Sequence, residues 1–242
     1  MSKTVLITGA AKRIGKAMTL HLASRGWNIA IHYNSSQKEA LELQGELKAL
    51  FPNQQFETFR ANLYEAREVE TLVPIVVKSM QKLDLLINNA SVFDKCSLAD
   101  TGTDLLDQNM NINFRAPFIL TRDFIKLAGK GLIVNFVDTK ITSNQSNYAA
   151  YSLSKKALWE MTKMTALEQG PHIRVNAIAP GLTLAPEDKA EDYLWKMASG
   201  IAMKRPGGLH PVLKALDYVL DNDYLTGQLL FCDGGENLGL TH

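Results

Sequence analysis

Short apolar runs alternate with longer amphipathic stretches along the whole chain. Thr4–Ile7, Asn28–His32, Phe56–Arg60, Leu83–Ile87, Leu132–Val137, Arg174–Ile178 and Leu229–Phe231 are mostly apolar, often β-branched, and bounded by turn or polar residues. That is the pattern of β-strands. The first, fourth and fifth lack in/out alternation, as expected of parallel strands covered on both faces. Between them the spacing predicts helices over about 14–25, 37–50, 65–81, 103–128, 149–168 and 209–221. Ala17, Leu20, His21 and Ser24 fall at helical spacing ahead of Gly26, and Leu41, Leu43, Leu47 and Leu50 precede a stop at Pro52. Strand and helix in alternation predict an α/β fold with a parallel sheet of about seven strands flanked by helices. No linker, low-complexity tract or further repeat divides the chain, so a single domain over 1–242 is expected. The stretch 182–210 breaks the rhythm and carries Pro186, Tyr193, Trp195, Pro206, Gly207 and Gly208. A loop of that length is either a substrate lid or a surface excursion.

Composition narrows the function. The chain has 242 residues, 46% of them hydrophobic, which excludes disorder. Lys and Arg number 26 against 25 Asp and Glu, a net charge of +1, so no basic field exists for nucleic acid. No apolar stretch reaches the ~20 residues that span a bilayer. The N-terminal apolar run is too short for a signal-peptide core. A cytoplasmic protein engaging neither nucleic acid nor membrane is expected. Cys96 and Cys232 are far apart and form no CxxC pair, which argues against a disulfide framework and a structural metal site.

Thr8-Gly9-Ala10-Ala11-Lys12-Arg13-Ile14-Gly15 follows the first strand and opens the first helix. Small residues there let backbone approach a pyrophosphate at a helix N-terminus, where orphan N–H groups and the dipole favour anions. A strand-to-helix turn with incidental glycines is the alternative, because GxGxxG is not met. NAD-binding domains place an acid at the end of the second strand to hold the ribose 2′-OH. Here Ile31-His32-Tyr33-Asn34-Ser35-Ser36 brings no acid before Glu39, while Lys12 and Arg13 add positive charge and Ser35 and Ser36 offer hydroxyls. This points to NADP(H) over NAD(H). His32 is either part of that site or a packed strand-end histidine. Tyr151 and Lys155 are four apart and share a helix face, where a cation favours the phenolate and lowers the tyrosine pKa.

Thr8–Gly15, Asn88-Asn89-Ala90, Asn113, Tyr151 with Lys155, Pro180-Gly181 and Asp233-Gly234-Gly235 occur in one order along the chain. On these motifs the sequence resembles the short-chain dehydrogenase/reductase family over nearly its whole length. The resemblance implies a Rossmann-type doubly wound sheet and a homotetramer in which the helices around 103–128 and 149–168 pack across two-fold axes. Ala149, Ala150, Leu153, Ala157 and Leu158 would supply the close-packed surface. It places the cofactor against Gly9, Lys12, Arg13, Ile14 and Gly15, against His32, Tyr33, Ser35 and Ser36, and against Asn62, Leu63, Asn89 and Ala90. Tyr151, Lys155, Pro180 and Gly181 complete that set.

Three positions depart from the family pattern: Arg13 replaces a glycine, Asn62 an aspartate, and Asp138 the catalytic serine. Arg13 and Asp138 together, with His32–Ser36 and Asn88–Ser91 followed by Phe93, resemble the pteridine reductase and dihydromonapterin reductase subgroup. That implies NADPH-dependent reduction of a dihydropterin to the tetrahydro form, with dihydrofolate as a further substrate. Tyr151 then delivers a proton, Asp138 relays one, Lys155 anchors ribose, and Asn113 holds a water beside the lysine. Phe93 stacks on the heterocycle, Arg13 bridges phosphate and pterin, and Ser91 bonds the pterin. Each has a plainer alternative: a turn cap for Asp138, a core-packed loop hydrophobe for Phe93, a solvated charge for Arg13 and a helix-interior contact for Asn113. Within the family, a carbonyl reductase acting on a 3-oxoacyl thioester is the nearest rival, and a non-catalytic cofactor-binding scaffold the more distant one.

Overall fold

The computed structural model describes residues 2–186, 189 and 192–239. Seven parallel strands form one sheet: β1 (Thr4–Ile7), β2 (Asn28–Tyr33), β3 (Phe56–Arg60), β4 (Leu85–Asn88), β5 (Gly131–Phe136), β6 (Ile173–Pro180) and β7 (Leu229–Cys232). Their order is β3-β2-β1-β4-β5-β6-β7. Connections run outward in opposite directions from β1 and β4, and a crevice opens where the order reverses, the usual place for a ligand in such sheets.

Burial explains the strands. Val5 and Ile7 of β1 face one layer, with Met18 and Leu22 of α1 (Arg13–Ser24), Leu43 and Leu47 of α2 (Gln37–Leu50), and Val212, Leu216 and Val219 of α8 (His210–Asp221). Leu6 points to the other layer, with Val73 and Val76 of α3 (Ala66–Met80) and Leu120 and Phe124 of α5 (Ala116–Ala128). In-register pairing sets Leu6 between Ala30 and Leu86, so both faces of the central strands are apolar.

The remaining helices are α4 (Thr103–Met110), α6 (Ala149–Gln169) and the short α7 (Tyr193–Ala198). The helix expected over 103–128 is interrupted: one π turn, Asn111–Arg115, joins α4 to α5. Such turns are rare and concentrate at functional sites. The segment 182–210 contains α7, with Trp195 largely exposed. Residues 187, 188, 190 and 191 of it lie outside the described set.

The expected assembly surface is partly corrected. Ala149, Ala150 and Leu158 are buried within the subunit, because α6 packs them inward. Leu153, Met164 and Leu167 of α6 and Phe118 and Leu127 of α5 are the large apolar side chains left exposed on these two helices.

Candidate active site

The loop after β1 is held by side chains from neighbouring strand ends. The Asn89 amide donates to the Thr8 carbonyl at 2.9 Å and the Gly9 carbonyl at 3.3 Å. The Thr8 hydroxyl accepts from the Asn89 and Ala90 backbone amides at 2.9 and 3.0 Å. Gly9 takes a positive φ of 63°. Its N–H donates to His32 Nδ1 at 3.0 Å, while His32 Nε2 meets the Ala61 carbonyl at 3.0 Å. One nitrogen must accept and the other donate, so the ring is a neutral Nε2–H tautomer. Burial pushes its pKa down to about 4, against the opposite pull of the Ala61 carbonyl.

At Gly15 a Cβ would stand 2.0 Å from the Gly9 carbonyl oxygen, so α1 starts directly against the loop. No side chain caps that start. An uncapped helix N-terminus beside a backbone-only cradle suits an anion. A cavity of about 430 Å³ opens there between Ala11, Lys12, Arg13, Lys16, Glu39 and Glu42. Across the crevice, Gly181 follows Pro180, and a Cβ on it would meet the Asp233 Cα at 2.5 Å. The Asp233 carboxylate in turn accepts from the Gly235 and Asn237 amides.

Several expected cofactor contacts take other roles. His32 is buried with both nitrogens engaged by backbone, so it shapes the loop and offers no free donor. The side chains of Tyr33 and Leu63 lie in the core. Lys12 pairs with Glu39 at 2.5 Å, which offsets the charge expected at the end of β2. Ser35 is exposed and Ser36 half-buried there. Asn62 accepts from the Tyr64 amide at 3.1 Å, a turn contact that an aspartate would make equally. Arg13 adopts φ 52°, the left-handed conformation that explains a glycine at this position in the family. Its guanidinium donates to the Leu184 and Ala185 carbonyls, both at 3.1 Å, and so ties the first loop to the 182–210 segment.

The expected Asp138, Tyr151 and Lys155 side chains converge at the C-terminal end of β5. Tyr151 of α6 is buried and donates its phenol proton to Asp138 Oδ2 at 2.8 Å. The other carboxylate oxygen accepts from the Lys140 amide at 2.8 Å and lies 3.7 Å from the Lys140 ammonium. Asp138 therefore serves both readings, capping the single turn Thr139–Ile141 with one oxygen and holding the phenol with the other. Lys155 is buried, donates to the Phe136 carbonyl at 2.8 Å, and sits 5.9 Å from the Tyr151 ring centre.

The expectation that Lys155 lowers the tyrosine pKa is overturned. Burial, then the Asp138 charge and hydrogen bond, drive the phenol well above its ordinary value, with only the Ser91 hydroxyl opposing. Burial likewise brings Lys155 down to about 8, against the pull of Asp138.

Asn113 lies in the π turn, fully buried. Its amide donates to the Val92 carbonyl, Asn109 and the Ser154 hydroxyl, and its oxygen accepts from Val92 N–H and the Ser91 hydroxyl. Protein groups thus take up the side chain that was expected to hold a water, and it clamps the segment after β4 to α6. Ser91 is oriented by Asn113 and sits beside the Tyr151 phenol, whose pKa it pulls down.

Phe93 is half exposed, stacks on Tyr148 at 4.6 Å and meets Tyr151 edge to face at 4.6 Å. The Lys140 ammonium lies 5.4 Å from the Phe93 ring centre and 5.2 Å from that of Tyr148. Tyr148, Lys140 and Glu236 were not expected here. Tyr148 precedes Tyr151 by three residues, a helical spacing that was available as a signal. Nothing local points to Glu236.

The short chain dehydrogenase family matches residues 3–192. The chain belongs to that family. As a short chain dehydrogenase it is an oxidoreductase, and solved and curated relatives span nearly its whole length. A crystal structure of FolM alternative dihydrofolate reductase 1 from Brucella canis, complexed with NADP, superimposes with a TM-score of 0.90. It is 33% identical and covers 98% of this chain and 95% of that one. Dihydromonapterin reductase from Escherichia coli is 28% identical over 98% of both chains. A 3-oxoacyl-acyl-carrier-protein reductase from Staphylococcus epidermidis is also 28% identical, over 97% of this short chain dehydrogenase and 99% of the relative.

The buried His32 makes stability depend on pH. Its pKa is about 4 when folded against an ordinary 6.5. Between those values the unfolded chain binds more protons, so the stabilisation is complete above pH 6.5 and declines as pH falls toward 4. The full swing is about 3 kcal/mol. Urea midpoints measured from pH 7 to 4.5 should fall accordingly. In His32→Asn, which has no titrating ring, the protein should be less stable at pH 7 and this component of the slope should vanish.

Proposed function

We propose that this chain is an NADPH-dependent pteridine reductase, taking a dihydropterin such as dihydromonapterin or dihydrobiopterin, and dihydrofolate, to the tetrahydro form. The observation that carries the reading is the Tyr151 phenol on Asp138 Oδ2 at 2.8 Å, where a carbonyl-reducing relative is expected to have a serine. The Escherichia coli and Brucella relatives, named for pterin and dihydrofolate reduction, support it.

The residues present fit a dinucleotide phosphate. The start of α1 is uncapped, Gly9 and Gly15 bring backbone close together, and no free carboxylate stands at the end of β2. Gly9, Ile14, Gly15, Asn89 and Ala90 would hold the pyrophosphate, Ser35 and Ser36 the 2′-phosphate, Asn62 and the backbone of Leu63 the adenine, and Pro180 and Gly181 the nicotinamide. When bound, the dinucleotide supplies a hydride to a ring carbon of the pterin.

The chain supplies the rest. Tyr151 stays a protonated phenol across the physiological range and gives its proton to the neighbouring ring nitrogen. Asp138 aims that proton and shares it. Lys155 holds a ribose hydroxyl and faces the phenol ring as a cation below about pH 8. Phe93 and Tyr148 form an aromatic wall for a flat heterocycle. Arg13, held by the Leu184 and Ala185 carbonyls, bridges the cofactor phosphate and the pterin.

NADPH should bind at least tenfold more tightly than NADH by titration, about 1.4 kcal/mol. Ser35→Asp should narrow or reverse the gap. Asp138→Asn and Tyr151→Phe should each cut kcat for dihydropterin by about 10²–10⁴-fold with NADPH affinity near wild type. The double variant should be little worse than either. Lys155→Ala should also weaken NADPH binding, and wild-type kcat/KM should decline above about pH 8 as Lys155 loses its charge. Equal or greater NADPH oxidation with an acetoacetyl thioester would favour the carbonyl-reductase reading. Light scattering should give a homotetramer, buried through Phe118, Leu153, Met164 and Leu167, and Leu153→Glu with Leu167→Glu should lower the mass.

A further inference from the structure

Three segments of the dinucleotide site meet on one buried residue, His32, near the C-terminal end of β2. On the β1 side, the Gly9 amide donates to His32 Nδ1 at 3.0 Å, and the Ala10 amide donates to the His32 carbonyl at 2.9 Å. On the β3 side, Nε2 meets the Ala61 carbonyl at 3.0 Å, and the Ala61 amide donates to the Tyr33 carbonyl at 3.1 Å. On its own strand, His32 stands three and four residues before Ser35 and Ser36. Ala61 leads directly into Asn62 and Leu63, where the Asn62 amide donates to the Glu68 carboxylate at 2.7 Å. The glycine loop, the serine pair and the Asn62–Leu63 stretch are therefore tied together through a single side chain and its neighbouring backbone.

Gly9 is where that tie matters most. A Cβ on Gly9 would meet the Ala90 Cα at 3.2 Å, and the Gly9 carbonyl oxygen stands 2.0 Å from where a Cβ on Gly15 would lie. The carbonyl of Gly9 is thus wedged against the start of α1 while its amide is fixed by His32. The histidine sets how this part of the loop faces the helix N-terminus. Without the acceptor the Gly9 amide loses its partner, and turning the Thr8–Gly9 peptide to find another would distort the cradle. The ring does this uncharged. A proton on Nδ1 would point at the Gly9 N–H, and burial opposes it, with only the Ala61 carbonyl pulling the other way. Among the described residues no charged side chain acts on the ring.

We propose that His32 is a positioning residue for the dinucleotide, a neutral imidazole that fixes the glycine loop against the end of β3 and so sets the affinity for NADPH and NADH alike. It does not choose between them. A buried, uncharged ring with both nitrogens spent on backbone adds nothing to the attraction for a 2′-phosphate. This rests on the dinucleotide site of the pteridine reductase reading.

Equilibrium binding at pH 7.5 tests it, with NADPH and NADH as probes and no pterin present. His32→Leu should weaken both by about tenfold, with their affinity ratio kept within about twofold of wild type. His32→Asn, whose amide oxygen can accept the Gly9 N–H, should recover most of the loss. In cofactor-free His32→Leu, amide hydrogen exchange should quicken over residues 9–15 and 61–63 and stay unchanged in β5 and β6, which separates a local loss from general loosening. The wild type offers a test that needs no variant. Nitrogen NMR of its His32 ring should show the Nε2–H tautomer, without titration between about pH 5.5 and 8, with and without NADP. A much larger loss for NADPH than for NADH would make His32 a phosphate contact and overturn the positioning role. So would a ring that becomes protonated on NADP binding, or a His32→Asn variant as weak as His32→Leu. A His32→Leu variant that binds as tightly as a binding-competent wild type would overturn the positioning role alone. A wild type that binds neither dinucleotide would overturn the NADPH reading and the positioning role with it.

Discussion

A parallel sheet covered on both faces directs the C-terminal ends of all its strands to one edge. The backbone groups that leave the ladder there have no strand partner and little access to water, and each must be satisfied by a side chain or a turn. The whole site follows from that constraint. Thr8 and Asn89 bind the ends of β1 and β4 to each other, His32 ties the Gly9 amide to the end of β3, and Asp138 caps the turn that leaves β5. The same side chains that satisfy stranded backbone also shape the crevice at the reversal of strand order.

Burial of ionisable groups is the second theme. Tyr151 and Glu236 are pushed up and Lys155 down, and in each case desolvation is the leading cause. All three shifts favour the uncharged form. For Tyr151 and Glu236 that means holding a proton. The Lys140 ammonium stands 3.7 Å from one Asp138 oxygen, and the other oxygen orients the phenol.

The departures from the family pattern have separate physical explanations. Arg13 retains the left-handed backbone of the glycine it replaces and uses its long side chain to reach the 182–210 segment. Asn62 preserves a turn contact that needs only an oxygen acceptor. Asp138 adds what a serine lacks, a second oxygen, so that capping the turn and holding the phenol no longer compete.

The sequence by itself determined the strand and helix order, the glycine loop, the Tyr151–Lys155 spacing and the position of Asp138 at a strand end. These are properties of neighbours in the chain: periodicity reports which side is buried, and an i, i+4 pair meets on any helix. Only the tertiary structure decided what those groups touch. His32 became a neutral clamp because a Gly9 amide and an Ala61 carbonyl arrived on its two sides. Lys12 lost its open charge to Glu39. The Tyr151 pKa rose instead of falling because the phenol is buried and, next in weight, because the Asp138 carboxylate arrived 2.8 Å from its oxygen. Glu236 reached the site from the far end of the chain through a turn pinned by Thr142 and Met203. Electrostatic balance depends on distance and burial between residues remote in sequence, and neither is written in local pattern.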